Sequence, residues 1–109
     1  MVSPYCAPET KGLAHELAHY YRLPMFGEGG MSEAKLPDQQ AAAEAALTLL
    51  AASLGGVNLI HDMGYLESGL CGSLVQLALC DEMVGWIERF LAPVEVNDRQ
   101  FILALETDI

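Results

Sequence analysis

Residues 57–64, VNLIHDMG, decide how the rest of the chain is read. Val57 to Ile60 is a short apolar run of strand length, and His61 and Asp62 follow where it ends. Immediately upstream, residues 38–56 read DQQAAAEAALTLLAASLGG. Asp38 suits an N-cap, and the alanines favour a helix that neighbours can approach closely. Gly55 and Gly56 supply the stop. Before that helix stands PMFGEGG, residues 24–30, a second short apolar run that gives way to glycines. It is read as a buried strand with a tight loop at its C-terminal end, and residues 31–37, MSEAKLP, as loop. Strand, helix and strand in that order predict parallel β-α units.

The flanks are helical. APETKGLAHELAHYYRLP, residues 7–24, predicts a helix over 8–22, with Pro8 in its first turn and Pro24 barring continuation. Leu13, Leu17, Tyr20 and Tyr21 fall at helical spacing. GYLESGLCG, residues 64–72, is a glycine-punctuated loop. Ser73 then caps a third helix, SLVQLALCDEMVGWIERFLAP, closed by Pro93. Residues 94–109 read as a polar turn and a helix capped by Asp98, with Phe101, Leu103 and Leu105 as buried candidates. Leu47, Leu49, Leu50 and Leu54 are assigned to the core, and Cys71 and Cys80 are read as buried thiols. The fold class is α/β: two β-α units plus flanking helices, in one domain over 1–109. Two parallel strands neither close a barrel nor make a comfortable open sheet, so the chain reads like a slice of something larger with unpaired strand edges.

With 109 residues, 52% of them hydrophobic, the chain suits a packed body rather than disorder. Fifteen acidic residues against five basic ones give a net charge of −10. That balance excludes nucleic acid and anionic membrane surfaces as expected partners, because both need basic protein surface. Three cysteines without a C-x-x-C pair read as reduced and intracellular, so a cytoplasmic location is expected. No charged and then apolar leader opens the sequence. Residues 41–60 approach a bilayer's length, but Glu44, Gly55, Gly56 and Asn58 interrupt them, and no membrane span is assigned.

HELAH, residues 15–19, has the H-E-x-x-H form of zinc proteases. On a helix His15 and His19 share a face and could hold one zinc ion, with Glu16 activating its water. A zincin needs a third ligand. No further histidine follows at a metzincin's spacing, and nothing selects Glu28 or Glu44. The alternative is a histidine pair on an outer helix with solvated polar ends, and no metal site is assigned.

The stretch GGMSEAKLPDQQAAAEAALTLLAASLGGVNLIHDMGYLESGLCGSL resembles the trimethylamine methyltransferase family. The resemblance rests on Gly29, Gly30, Ser32, Ala34 and Lys35, on Asp38, Gln40, Ala41 and Glu44, and on the near-continuous run from Asn58 to Leu70. Glu33 stands where the family usually has Asp, and Val75 where the following helix often has Glu. The resemblance implies a piece from the C-terminal half of a TIM (β/α)8 barrel. It implies methyl transfer from trimethylamine, or a related tertiary or quaternary amine, to a corrinoid (cobalamin) whose Co(I) acts as the nucleophile. That corrinoid would ride on a cognate partner protein, with no cofactor bound directly by this chain. A partial barrel is expected to lack the rest of the pocket and to be inactive alone. A non-catalytic remnant that self-associates as a homo-oligomer is the alternative.

In β/α barrels catalytic groups sit at the C-terminal ends of strands and in the loops that follow. His61 and Asp62 are the catalytic candidates on that basis. His61 beside an acid can bind, orient or exchange a proton with a substrate, or can simply be a hydrogen-bonded structural histidine. Glu28, Tyr65 and Glu67 are the substrate-binding candidates, because carboxylates and aromatic faces attract an ammonium group. Lys35 and Gln40 are weaker candidates, and Lys35 could simply pair with Asp38.

Overall fold

The computed structural model describes residues 8–94 of the chain. The expected terminal helix with Asp98, Phe101, Leu103 and Leu105 lies outside the described residues, as does Cys6. Helix α1 runs Pro8–Tyr21, strand β1 Phe26–Glu28, helix α2 Gln39–Leu54 and strand β2 Leu59–His61. A small hairpin follows, β3 at Tyr65–Leu66 and β4 at Cys71–Gly72, and then helix α3 at Leu74–Leu91. The protein is thus an α/β structure of three helices and short strands among the described residues.

The helix boundaries follow from local chemistry. Asp38 Oδ1 accepts the Ala41 amide at 3.1 Å and starts α2, while Ser73 Oγ accepts the Gln76 amide at 3.2 Å and starts α3. Asp38 is therefore occupied as a cap, and Lys35 pairs instead with Glu67 at 3.3 Å. At the end of α3, Ala92 turns extended, as a residue before proline must.

Strands β1 and β2 pair in parallel, with Phe26 opposite Leu59, Gly27 opposite Ile60 and Glu28 opposite His61. Asn58 explains itself here. Its amide donates to the Met25 carbonyl at 3.0 Å, and its Oδ1 accepts the Met25 amide at 2.9 Å. One polar residue in the apolar run thereby extends the ladder. Tyr65–Leu66 and Cys71–Gly72 pair antiparallel, so the glycine-rich stretch expected to be loop is a hairpin.

Helix α2 packs against α1, α3 and both parallel strands. Ala45, Leu49, Cys80 and Met83 form the α2–α3 core, and Ala34, Ala41 and Leu66 a second cluster under the hairpin. Of the leucines assigned to the core, Leu49 is buried, whereas Leu47 and Leu54 are more than half exposed. On α1 the apolar residues Leu13, Leu17, Tyr20 and Tyr21 are all exposed. Cys80 is buried as expected, but Cys71 is exposed. Among the described residues no helix is long and apolar enough to cross a membrane.

Gly30 ties these parts together. Its φ of +79° is left-handed, which favours glycine. Its amide donates to Thr48 Oγ1 at 3.1 Å. Its carbonyl accepts the Gly64 amide at 3.1 Å and the Cys80 thiol at 3.2 Å.

Candidate functional site

Side chains two apart on a strand share a face. Phe26 and Glu28 on β1 therefore share a face with Leu59 and His61 on β2. Gly27 and Ile60 point the other way, into the layer beneath α2. Glu28 and His61 are ladder partners at the C-terminal ends of two parallel strands. The Phe26 ring meets the His61 ring edge to face, with centroids 6.1 Å apart.

His61 Nδ1 lies 2.9 Å from Asp62 Oδ1. A proton on Nδ1 donated to that carboxylate leaves Nε2 as the nitrogen available to a ligand. Asp62 itself holds φ at +73°, in the left-handed region. That turn swings its carboxylate back against the preceding imidazole. Both catalytic candidates, His61 and Asp62, and one substrate-binding candidate, Glu28, are thus neighbours at the strand ends.

Tyr65 and Glu67 are placed differently. They lie on the hairpin, which docks against the loop after β1. The Ser32 amide donates to the Tyr65 carbonyl at 3.0 Å, and the Glu67 amide to the Ala34 carbonyl at 3.1 Å. Ser68 Oγ donates to Glu33 Oε2 at 2.6 Å. The Glu67 carboxylate is engaged by Lys35, an exposed pair whose attraction water weakens. Tyr65 borders a depression of about 340 Å³ with Met63, Gly64, Gly72, Ser73, Leu74 and Leu77. That hollow does not include His61 in its lining.

Glu44 is the polar residue that sequence reasoning left without a role. It accepts Ser32 Oγ–H at 2.5 Å, the Glu33 amide at 2.9 Å and the Gln40 side-chain amide at 3.0 Å. Partial burial opposes its charge, but the hydrogen bonds from Ser32, Gln40 and Glu33 outweigh that, and its carboxyl is held below the usual range. The signal was present as Glu44 and Thr48, polar residues four apart on an alanine-rich helix.

The HELAH histidines have a structural setting. His15 is 3% exposed, against the expectation of solvated ends, and it packs where a Cβ on Gly55 would overlap its Nδ1. His19 Nε2 donates to the Gly55 carbonyl at 2.9 Å. That bond puts a proton on the nitrogen a zinc ion would need. Among the described residues no three His, Cys, Asp or Glu side chains are grouped to hold a metal. His19 thus serves the C-terminal end of α2, where carbonyls lack helical partners, and His15 packs beside it.

Comparison with known proteins adds the family. Residues 7–107 match the family model described as trimethylamine methyltransferase (MTTB). The trimethylamine methyltransferase of Desulfitobacterium hafniense is 36% identical over 102 residues, covering 90% of this chain and 20% of that protein. A trimethylamine methyltransferase of Methanosarcina mazei is 37% identical over 92 residues, 84% of this chain and 18% of that protein. The glycine betaine methyltransferase of Desulfitobacterium hafniense strain Y51 is 34% identical over 90 residues, 82% of this chain and 19% of that protein. The chain spans about a fifth of the length of these relatives. A family match over nearly its whole length makes this chain a member of the trimethylamine methyltransferase family.

Proposed function

We propose that this chain carries one wall of a methylamine-binding pocket in a corrinoid-dependent methyltransferase. It would supply two neighbouring β/α units of a larger barrel. The observation that carries the reading is the pairing of Glu28 with His61 at the ends of two parallel strands, on the face turned away from α2. In β/α barrels that end of the strands is where chemistry is placed. Glu28 offers negative charge to an ammonium group. The face of Phe26 offers cation–π attraction, worth about 0.5–2 kcal/mol, and Tyr65 on the neighbouring hairpin is the second aromatic contact in this proposal. Asp62 orients His61 so that Nε2 faces the ligand. A corrinoid on a partner protein would supply the methyl acceptor. The substrate would be a tertiary or quaternary methylamine, trimethylamine or a betaine, in keeping with the names of the relatives.

The test is a graft. This chain replaces the matching segment of the Desulfitobacterium hafniense trimethylamine methyltransferase, and demethylation of trimethylamine and of glycine betaine is followed. The graft is expected to retain activity on one of them, and His61→Ala within it to lower kcat/KM at least about a hundredfold, the scale of lost acid–base or orienting catalysis. Equal activity with and without His61 would remove His61 from the reaction. A second reading, association without catalysis as a homo-oligomer, draws on the many large apolar side chains left exposed on α1 and α3.

A further inference from the structure

We infer that Glu44 is a positioning residue: through Ser32 and Glu33 it holds the loop after β1 in the shape that grips the hairpin carrying Tyr65 and Glu67. As a role at the amine site, this rests on the function proposed above. Its geometric part stands on hydrogen bonds alone. Two donors, Ser32 Oγ–H and the Glu33 amide, converge on Glu44 Oε2. Ser32 Oγ in turn accepts the Ala34 amide at 2.9 Å. Residues 32–34 are thereby set so that the Ser32 amide reaches Tyr65 and the Ala34 carbonyl receives Glu67. The Glu33 side chain continues the grip through Ser68. One carboxylate on α2 therefore governs a loop-to-loop clasp lying beyond the ends of β1 and β2. The exposed Lys35–Glu67 pair at the rim is too solvated to set the register by itself. The bonds to Glu44 are stronger, since hydrogen bonds to a charged acceptor exceed neutral ones.

The test uses the 109-residue chain and reads amide hydrogen exchange at Ser32 and Glu67, the two donors across the clasp. Glu44→Ala and Ser32→Ala are expected to speed both amides at least about tenfold, the scale of one lost charge-assisted bond. The double variant should fall short of the sum of the two single effects, because the Ser32–Glu44 bond is lost in both. Glu44→Gln should restore much of the protection, since Gln40 can rotate its amide to match. Ser73→Ala, which weakens the chain at the α3 cap instead, should leave the ratio of these amides to the core unchanged. Unaltered exchange in Glu44→Ala, or equal acceleration in Ser73→Ala, would overturn the proposal. Tetramethylammonium titrated into the same samples separates the two claims. If the native chain responds at Tyr65 and Glu67, Glu44→Ala should weaken that response at least about fivefold while Ser73→Ala leaves it intact, and an unweakened response overturns the positioning role at the amine site. If the native chain does not respond, the amine reading fails for this chain and the exchange pattern alone decides Glu44.

Discussion

Gly55 and Gly85 differ in what surrounds them, and a single methyl group tells them apart. Gly55 has an ordinary helical φ of −68°, but the space beside it is taken by His15. Gly55→Ala is expected to destabilise by about 1–3 kcal/mol through overpacking. Gly85 stands within α3 with nothing within 4 Å of an added Cβ. Gly85→Ala should stabilise by about 0.5–1 kcal/mol through helix propensity. Urea unfolding of both variants checks the pair. Glu44 adds a pH dependence. Its folded carboxyl titrates below the usual range, so the stability it contributes is present above the unfolded pKa and is lost as pH falls through the lower folded one. Unfolding midpoints measured down that limb should fall in the native chain and fall less in Glu44→Gln. Residue roles were legible where one residue type has one use, as with Asp38 and Ser73 as caps. They were hidden where the partner is distant in sequence. Lys35 reaches Glu67 across the clasp rather than Asp38 nearby, and His15 is buried by α2, which its own helix cannot announce.

Among the elements, α2 joins both parallel strands, and its buried face is where loss should be felt most. Leu49 is 1% exposed against 54% for Leu47 two residues earlier. Leu49→Ala is expected to cost about 2–5 kcal/mol, as for a buried leucine, and Leu47→Ala within about 0.5 kcal/mol of zero, as for a surface change. Equal losses would mean that α2 presents another face to the strands. The helices and the two parallel strands could be read from the sequence because caps, prolines and apolar runs mark them. The β3–β4 hairpin could not. Its strands are two residues each, too short to show alternation, and their pairing accompanies the docking of the loop after β1. The core leucines were over-assigned for a related reason. A helix rich in alanine and leucine shows little contrast between faces, so periodicity cannot choose the buried one.

At the scale of the whole molecule, many large apolar side chains among the described residues are exposed, with Trp86 and Phe90 about 70% exposed on α3. Such a surface calls for a covering. Sedimentation velocity of the isolated chain is expected to show concentration-dependent association, reduced in Trp86→Gln and Phe90→Ser. A monomer at every concentration would remove the associating reading. The position of Glu28 and His61–Asp62 at strand ends was legible from sequence because two apolar runs end in them. Which side of the strands packs under α2 was not, because only the packing of helix against strand reveals it.

The Cys80 thiol, hydrogen-bonded to Gly30 and enclosed between α2 and α3, makes a built-in clock for the molecule. Burial pushes this thiol's pKa up, although a backbone hydrogen bond works the other way, and only the thiolate reacts with an alkylating probe. With Cys6 and Cys71 replaced by serine, alkylation of Cys80 can proceed only when α3 lifts from α2. Its rate would time that opening directly, and a ligand that fastens the two loops at Gly30 and Gly64 should slow the clock.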